Sequence, residues 1–454
     1  MWTRTALSFC LLLALAAVAL GEEVQGPVGA NARWEGEIVL TGAVTIPPDS
    51  VLTIAAGTRI RPARPESSLS VQGTLIAQGT AEQPIVFART KGWQGIELFE
   101  ATTGSALEQV RFEGAETAIS AIASSFSVTR VSFRNCDTAV KLLREASATI
   151  TDSQFNDNRV GIDNQMKSRA SIQRNRFSGH RETAVVVTHN SLGAIESNRF
   201  ENNQQAIAVI QKFPDRIIGN TFLNNKTAIF CNQTQSTPLI RDNRFENNEL
   251  ALINFSFSYP VVENNRFVGN TTAIRNDQFG SPRVSHNLFR DNGTALYNHR
   301  KSNPQVEKNR LENNQTAMVC DFSSYPKVRD NNFLGNAMGV KLGLYQSADW
   351  EKRSGSKKIM AEQAAGRNSQ NPLLPNAPTT FSDQVDVSGN WWGPQTAQLG
   401  RVGKEGNLPF FHDRHDQPEV SYEGFGPEKY RLDRIVFAPW LEREVADAGP
   451  ENRP

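Results

Sequence analysis

Cysteine is scarce in this chain: Cys10, Cys136, Cys231 and Cys320 are the only four in 454 residues, and Cys10 lies in an N-terminal apolar run. Without it the set is odd and widely scattered, which excludes a fold held by a dense disulfide framework. An excess of charge is lacking too, with 48 basic residues against 47 acidic ones. That balance gives no reason to expect nucleic acid or an anionic membrane as a partner. Long apolar runs are confined to Ala6 to Leu20, preceded by Arg4 and closed by Ala19-Leu20-Gly21. Such a run is short for a membrane span and has the layout of an export signal. The expectation is a signal peptide over 1–21, cleavage near Gly21, and an exported mature chain with no transmembrane segment. A Gly-rich phosphate loop, a nucleophile elbow and a CxxC pair are absent as well.

What the chain has in abundance is repetition. An apolar anchor recurs at Phe112, Phe133, Phe155, Phe177, Phe200, Phe222, Phe245, Phe267, Phe289, Leu311 and Phe333, at spacings of 21 to 23 residues. Five residues before each anchor stands Leu, Ile or Val, from Leu107 to Val328. Seven or eight residues after it comes a second aliphatic column, from Ile119 through Ile207 to Val340, always preceded by Ala or Gly. Asn recurs two residues before the anchor (Asn175 to Asn331) and three after it (Asn203 to Asn336). Each unit is therefore a set of short alternating pieces separated by Asn-centred bends, too short for the helical periodicity of an α-solenoid. Three strands and three bends make one coil of a parallel β-helix, with coils about 4.8 Å apart and like residues stacked in columns. Asn suits the bends because it tolerates the left-handed region and can hydrogen-bond the next Asn along the stack.

The unit N-x-F-x-x-N-x-x-A-I, as in Asn198 to Ile207 and Asn265 to Ile274, resembles the repeat of right-handed parallel β-helix proteins of the pectin-lyase-like superfamily. The resemblance covers residues 34–345 and implies an all-β, three-sided solenoid. It implies little about function, since that superfamily mixes lyases, hydrolases, epimerases, adhesins and non-enzymatic exported proteins. Around this body the reading places a linker at 22–33 and a charged excursion at 346–388. A final coil with a C-terminal cap follows at 389–445, where Asn390-Trp391-Trp392 restores the Asn-x-anchor spacing, and a loose tail ends the chain at 446–454. Irregular opening segments such as Val51-Leu-Thr-Ile resemble those of exported bacterial β-helices.

Chemistry is sought in outward columns, because inward ones are committed to packing. Ten residues past the anchor, Asp277, His299 and Asp321 fall in consecutive coils beside Arg300 and Lys301. A His near stacked carboxylates could shuttle protons or help hold a metal, and polysaccharide lyases of the superfamily use clustered Asp with a basic residue on an outer face. A solvated charged turn is the simpler reading. A second group is His412-Asp413-Arg414-His415-Asp416, whose His412, Asp413, His415 and Asp416 could bind a divalent cation such as calcium if tightly turned. Aromatics in the loops (Phe213, Phe255, Phe257, Tyr259, Phe279, Phe322, Tyr325) could stack on sugar rings or simply shield the sheet. Cys231 and Cys320 share a column with Asn254, Asn276 and Asn298 and, four coils apart at roughly 19 Å, cannot pair.

The reading that results is an exported bacterial protein, periplasmic, cell-surface or extracellular. It is expected to be non-enzymatic and to present a long regular face to a polysaccharide or an extracytoplasmic protein. A polysaccharide lyase or glycoside hydrolase using Asp277, His299, Arg300, Lys301 and Asp321 is the alternative. A third resemblance is to periplasmic β-helix proteins that assist metal-site assembly in partner enzymes.

Overall fold

A computed structural model describes residues 21–451 except 89, 91, 102–103, 212–214, 235–236, 354–380 and 423–426. The expected signal peptide therefore lies, save for its last residue, outside the described residues.

Short strands follow one another with the predicted period and wind into a right-handed parallel β-helix. Face one is a ladder of 14 parallel strands from Asn31–Trp34 to Lys327–Arg329. Face two carries the Phe anchors and face three the second aliphatic column. Both belong to one 29-stranded sheet, because the strand Glu37–Ile46 pairs with Arg59–Pro62 through its first half and with Ser68–Val71 through its second. The register is that of the sequence columns: Phe112 opposite Phe133, Val128 opposite Ile150, Ile207 opposite Ile229.

Stacking this repeat buries a continuous core. From Phe87 to Phe289 successive rings lie 4.6–5.2 Å apart and within 17° of parallel. Each fully buried Phe contributes about 1.5–3 kcal/mol relative to an exposed one. Trp392 closes the column by stacking on Phe333 at 4.3 Å.

Two ladders of asparagine run beside the rings. In each, Oδ1 receives both the main-chain N–H and the side-chain N–H of the Asn one coil earlier. Asn220 N and Nδ2 lie 2.9 and 3.1 Å from Asn243 Oδ1, and Asn243 Nδ2 donates to Ile217 O at 2.9 Å. The first ladder runs from Asn175 to Asn331 and on to Asn390, which receives Asn331 N at 2.9 Å and so resumes the coil across the excursion. In the second, His180 replaces Asn, its ring between Asn158 Nδ2 and Asn203 Oδ1. Burial lowers the His180 pKa to about 4, so the ring is neutral at pH 7. The left-handed residue of each first-ladder bend is not the ladder Asn, as the sequence reading has it, but the residue before it: Arg174, Ser197, Asp242 and Lys308 have φ of 53–55°. The Asn itself must point inward to bond along the stack, so its neighbour takes the bend.

Cys136, Cys231 and Cys320 are buried and free. Burial raises all three thiols, Cys136 to about 11 and Cys320 to about 12. An inner row, Asn254 to Asn276 to Asn298, is joined by Nδ2-to-Oδ1 bonds of 2.9 Å and ends at Cys320 Sγ, 3.8 Å from Asn298 Nδ2.

The ends differ from the sequence reading. Residues 22–33 are not a linker: Glu22–Pro27 adds a parallel strand to Glu37–Ile46, and Asn31–Trp34 opens face one. Val24 and Val28 pack there against the core, covering the first rung. The tail is not loose over 446–451 either. Val445 exchanges two 2.9 Å bonds with the Asn332 side chain, Gly449 N donates to Lys308 O at 2.9 Å, and Glu451 N to Asn264 Oδ1 at 2.6 Å. The segment thus runs back along the bend between faces one and two, where coil after coil offers it an acceptor. Between core and tail, the helix Ala348–Arg353 leads into the excursion, and Gln384–Asp386 pairs with Arg434–Val436 in the cap. Gly339 stands where most coils have Ala because Phe410 of the cap would lie 2.2 Å from its Cβ.

Replacing Asn243 by Leu strands the Asn220 N–H and the Ile217 carbonyl in the interior. A loss of about 1–3 kcal/mol follows, to be read as a lowered urea midpoint, whereas an exposed Asn such as Asn247 should tolerate Ala far better.

Candidate functional site

Thr272–Asp277, Thr294–Asn298 and Thr316–Cys320 are consecutive strands of face three. They deliver Asp277, His299 and Asp321 to one outer edge, as the sequence spacing requires. Period-two alternation turns Arg275 and Tyr297 outward on the same strands.

The structure brings together only part of the predicted cluster. Asp277, whose side chain is 4% exposed, is held by Arg275 at 2.9 Å, Arg300 at 2.8 Å and His299 Nδ1 at 3.1 Å. Burial pushes its carboxyl up, but hydrogen bonds from His299 and Arg275 and the positive charges around it outweigh that and hold it well below the ordinary range. Asp321 does not join. Its Oδ1 accepts the amides of Phe322 and Tyr345, each at 2.9 Å, and burial raises its pKa. Lys301 turns away to Glu351, 3.5 Å distant, and lies over the Phe381 ring. Of the five residues expected to act together, only Asp277, His299 and Arg300 are in contact, and Arg275 joins them. The central carboxylate is saturated by donors.

Residues 412–416 form two separate pairs in place of the expected cation site. His415 Nδ1 lies 3.0 Å from Asp413 Oδ1, and His412 Nδ1 lies 3.8 Å from Asp416 Oδ2. Asp413, 3% exposed, spends its other oxygen on the Ile435 amide at 2.7 Å. Among the described residues no three His, Cys, Asp or Glu side chains converge in a way suited to a metal ion. The carboxylate that should have bridged them is committed to shaping the cap.

The aromatic row also divides. Phe213 lies outside the described residues. Phe257 is buried, its ring stacked on Phe279 at 4.6 Å, so it offers no face to a ligand. Tyr325 donates to Asp433 Oδ2 at 3.0 Å and belongs to the docking of the cap. Tyr259 and Phe279 remain half-buried. Phe322 meets the His299 ring edge-on at 4.8 Å and stacks on Tyr345 at 4.2 Å.

Sequence reasoning missed the outward column of face three. Val186, Phe230, Ile253, Arg275, Tyr297 and Val319 occupy it coil after coil, all half-buried; Ala208, in the same column, is buried. Earlier coils place Ser120, Lys141 and Asp163 there. The available signal was a second apolar residue directly after the inward Ile or Leu, as in Ile229-Phe230 and Leu252-Ile253, which breaks the alternation. Arg275 stands over the Tyr297 ring at 5.3 Å, joining this stripe to the Asp277 group.

Comparison with known proteins agrees with the fold. A family model described as periplasmic copper-binding protein (NosD) matches residues 80–256, and one described as right handed beta helix region matches 215–350. No curated protein matches. Among solved structures, the periplasmic alginate epimerase AlgG aligns at 12% identity over 68% of this chain and 77% of that one, with a TM-score of 0.38. A mutant of AlgG aligns at 11% identity with the same coverage and TM-score 0.38. Among the described residues no helix is long and apolar enough to cross a membrane.

Asp433 ties the cap to the helix by accepting from Tyr325, from Gln346 Nε2 at 3.1 Å and from the Ala348 amide at 2.8 Å. Burial pushes its carboxyl from 3.8 up to about 7. A raised folded pKa contributes stability that is present below about pH 4 and lost as pH rises through about 7. The Asp433→Asn variant should therefore show a flatter dependence of the urea midpoint between pH 5 and pH 8 than the parent protein.

Proposed function

We propose that this right-handed parallel β-helix repeat protein is a non-enzymatic periplasmic protein that holds an acidic polysaccharide along face three. The observation that carries the reading is the outward stripe: Val186, Phe230, Ile253, Tyr297 and Val319 stand in one column of a flat sheet, with Arg275 in the same column and Arg300 at its edge. Flat apolar side chains suit the faces of sugar rings, and guanidinium groups suit carboxylates. Coils about 4.8 Å apart repeat the contact along an extended chain. The locked Asp277 carboxylate supports binding over turnover, because a general base must be free to take a proton. The periplasmic placement rests on the names of the proteins this chain resembles.

A panel of acidic and neutral polysaccharides, with and without calcium, tests it by recording retention on the polymer and new reducing or unsaturated ends together. Retention without cleavage is expected, weakened about tenfold or more in the Phe230→Ala/Tyr297→Ala double variant. New ends that vanish on Asp277→Ala would instead establish the lyase or hydrolase alternative.

A second reading, copper handling, is favoured by the match over residues 80–256 and by one surface feature within it. Met166 is 46% exposed and lines a hollow of about 370 Å³ with Glu145 and His189 from adjoining coils. Thr188 Oγ1 lies 2.8 Å from His189 Nδ1, which leaves Nε2 as the ligating nitrogen. Thioether and imidazole together suit Cu(I). Titration of Cu(I) against a chromophoric chelator should show weaker binding in Met166→Leu and in His189→Ala, and equal binding in all three proteins would remove this reading.

A further inference from the structure

The bend between faces one and two forms a groove along the axis. Its floor is the left-handed residue of each coil, among them Gln109, Arg130, Asp152, Arg174 and Lys308; its wall is the outward row of face two. In the C-terminal third the protein fills this groove with its own tail. Gly449 N reaches the floor at Lys308 O, Glu444 pairs with Arg310 of the wall, and Asp447 with Lys308 at 2.7 Å. Leu288 of the wall is 4% exposed beneath it. Near the other end the floor carbonyl of Gln109 is taken by Ile85 N of the neighbouring coil at 3.1 Å, a bond of the ladder itself.

Between these two points the groove is open. Arg130, Asp152, Arg174, Ser197 and Gly219 are exposed, and among the described residues their carbonyls accept no main-chain hydrogen bond. The upstream end of the open stretch forms a hollow of about 450 Å³ lined by Pro84, Arg111, Ser132 and Gln154 among others. The run from Arg130 to Gly219 is four coil steps, roughly 19 Å at 4.8 Å per step. The tail crosses the same number of steps, from Asn390 to Asn264, with residues 441–451. Charge adds direction. Arg111, Arg130, Arg134, Arg174, Arg176 and Arg199 outnumber Glu108, Glu113, Asp152 and Glu201 here, and the tail that fills the equivalent groove carries Glu442, Glu444, Asp447 and Glu451 against Arg443 alone.

We infer that the open stretch is a second binding site, which takes an extended acidic peptide segment of a partner protein. Its peptide N–H groups bond the floor carbonyls, as Gly449 N does at Lys308 O, and its carboxylates meet the arginines of floor and wall, as Asp447 and Glu444 meet Lys308 and Arg310 further along the same bend. The site lies at a different bend from the face-three stripe and does not depend on the polysaccharide reading.

The test uses a fluorescein-labelled peptide of the sequence of residues 441–451, titrated into the full chain and followed by fluorescence anisotropy. Saturable binding is expected, weakened tenfold or more by the Arg130→Glu/Arg174→Glu double variant and kept in Arg130→Lys/Arg174→Lys. The same peptide with its Glu and Asp changed to Gln and Asn should bind at least fivefold more weakly, and Arg310→Glu should leave binding unchanged. Both arginines are exposed, so far-ultraviolet circular dichroism of the double variant should match the parent. Absence of saturable binding overturns the inference. So does binding lost in Arg310→Glu but intact in the double variant, since the peptide would then only be exchanging with the protein's own tail.

Discussion

Everything in this molecule depends on one arrangement, the asparagine whose carbonyl oxygen receives two N–H groups from the coil before it. Non-glycine residues in the left-handed region cost about 1–2 kcal/mol each, and the solenoid places one at nearly every such bend, Gly219 being an exception. Arg, Ser, Asp, His and Lys all occupy that position, so its conformation is imposed by the stacked coils rather than by any preference of its own, and from Asn175 onward the adjacent Asn fixes it in place. Because each Asn is held by its neighbour along the stack, a bend is stable only when the coils on both sides are formed. The Phe column imposes the same condition: a ring is buried only by the rings above and below it.

This mutual dependence explains what was legible in the sequence. A residue that must match its equivalent one coil away leaves a period, and Phe, Asn and Ile columns announced coil, face and register together. Asn390 and Trp392 could be recognised after the excursion of 346–388 because they obey the same spacing. Segments that touch unlike partners leave no period. The strand Glu22–Pro27 caps a single rung, and the tail meets Asn332, Lys308 and Asn264 through its main chain, so composition alone made both look unstructured. The substitution of His180 for a ladder Asn was equally silent, although it fills the same place with the same pair of bonds.

The candidate site was half legible for a related reason. Column positions correctly stacked Asp277, His299 and Asp321, but a column says nothing about where a side chain turns once it leaves the sheet. Asp321 was drawn to one amide of its own loop and one of the next coil, and Lys301 to Glu351 on the excursion helix. Burial then converts the remaining carboxylate into the hub of an ion-pair network, in which desolvation must be offset by donors on every side. What is left half-buried beside it is the row of apolar side chains on the flat face.

The tail also changes how the molecule would carry load. A coil pulled from a bare end of the stack surrenders only its own ladder bonds and lengthens the chain by roughly 75 Å for its 22 residues. Coils of the N-terminal half would come away in that manner, one at a time. The coils between Asn264 and Asn390 are cross-tied by a segment lying across all of them, so they yield only after it is stripped off. The solenoid is therefore a rod of two stiffnesses, extensible in increments near its beginning and braced like a splinted beam near its end.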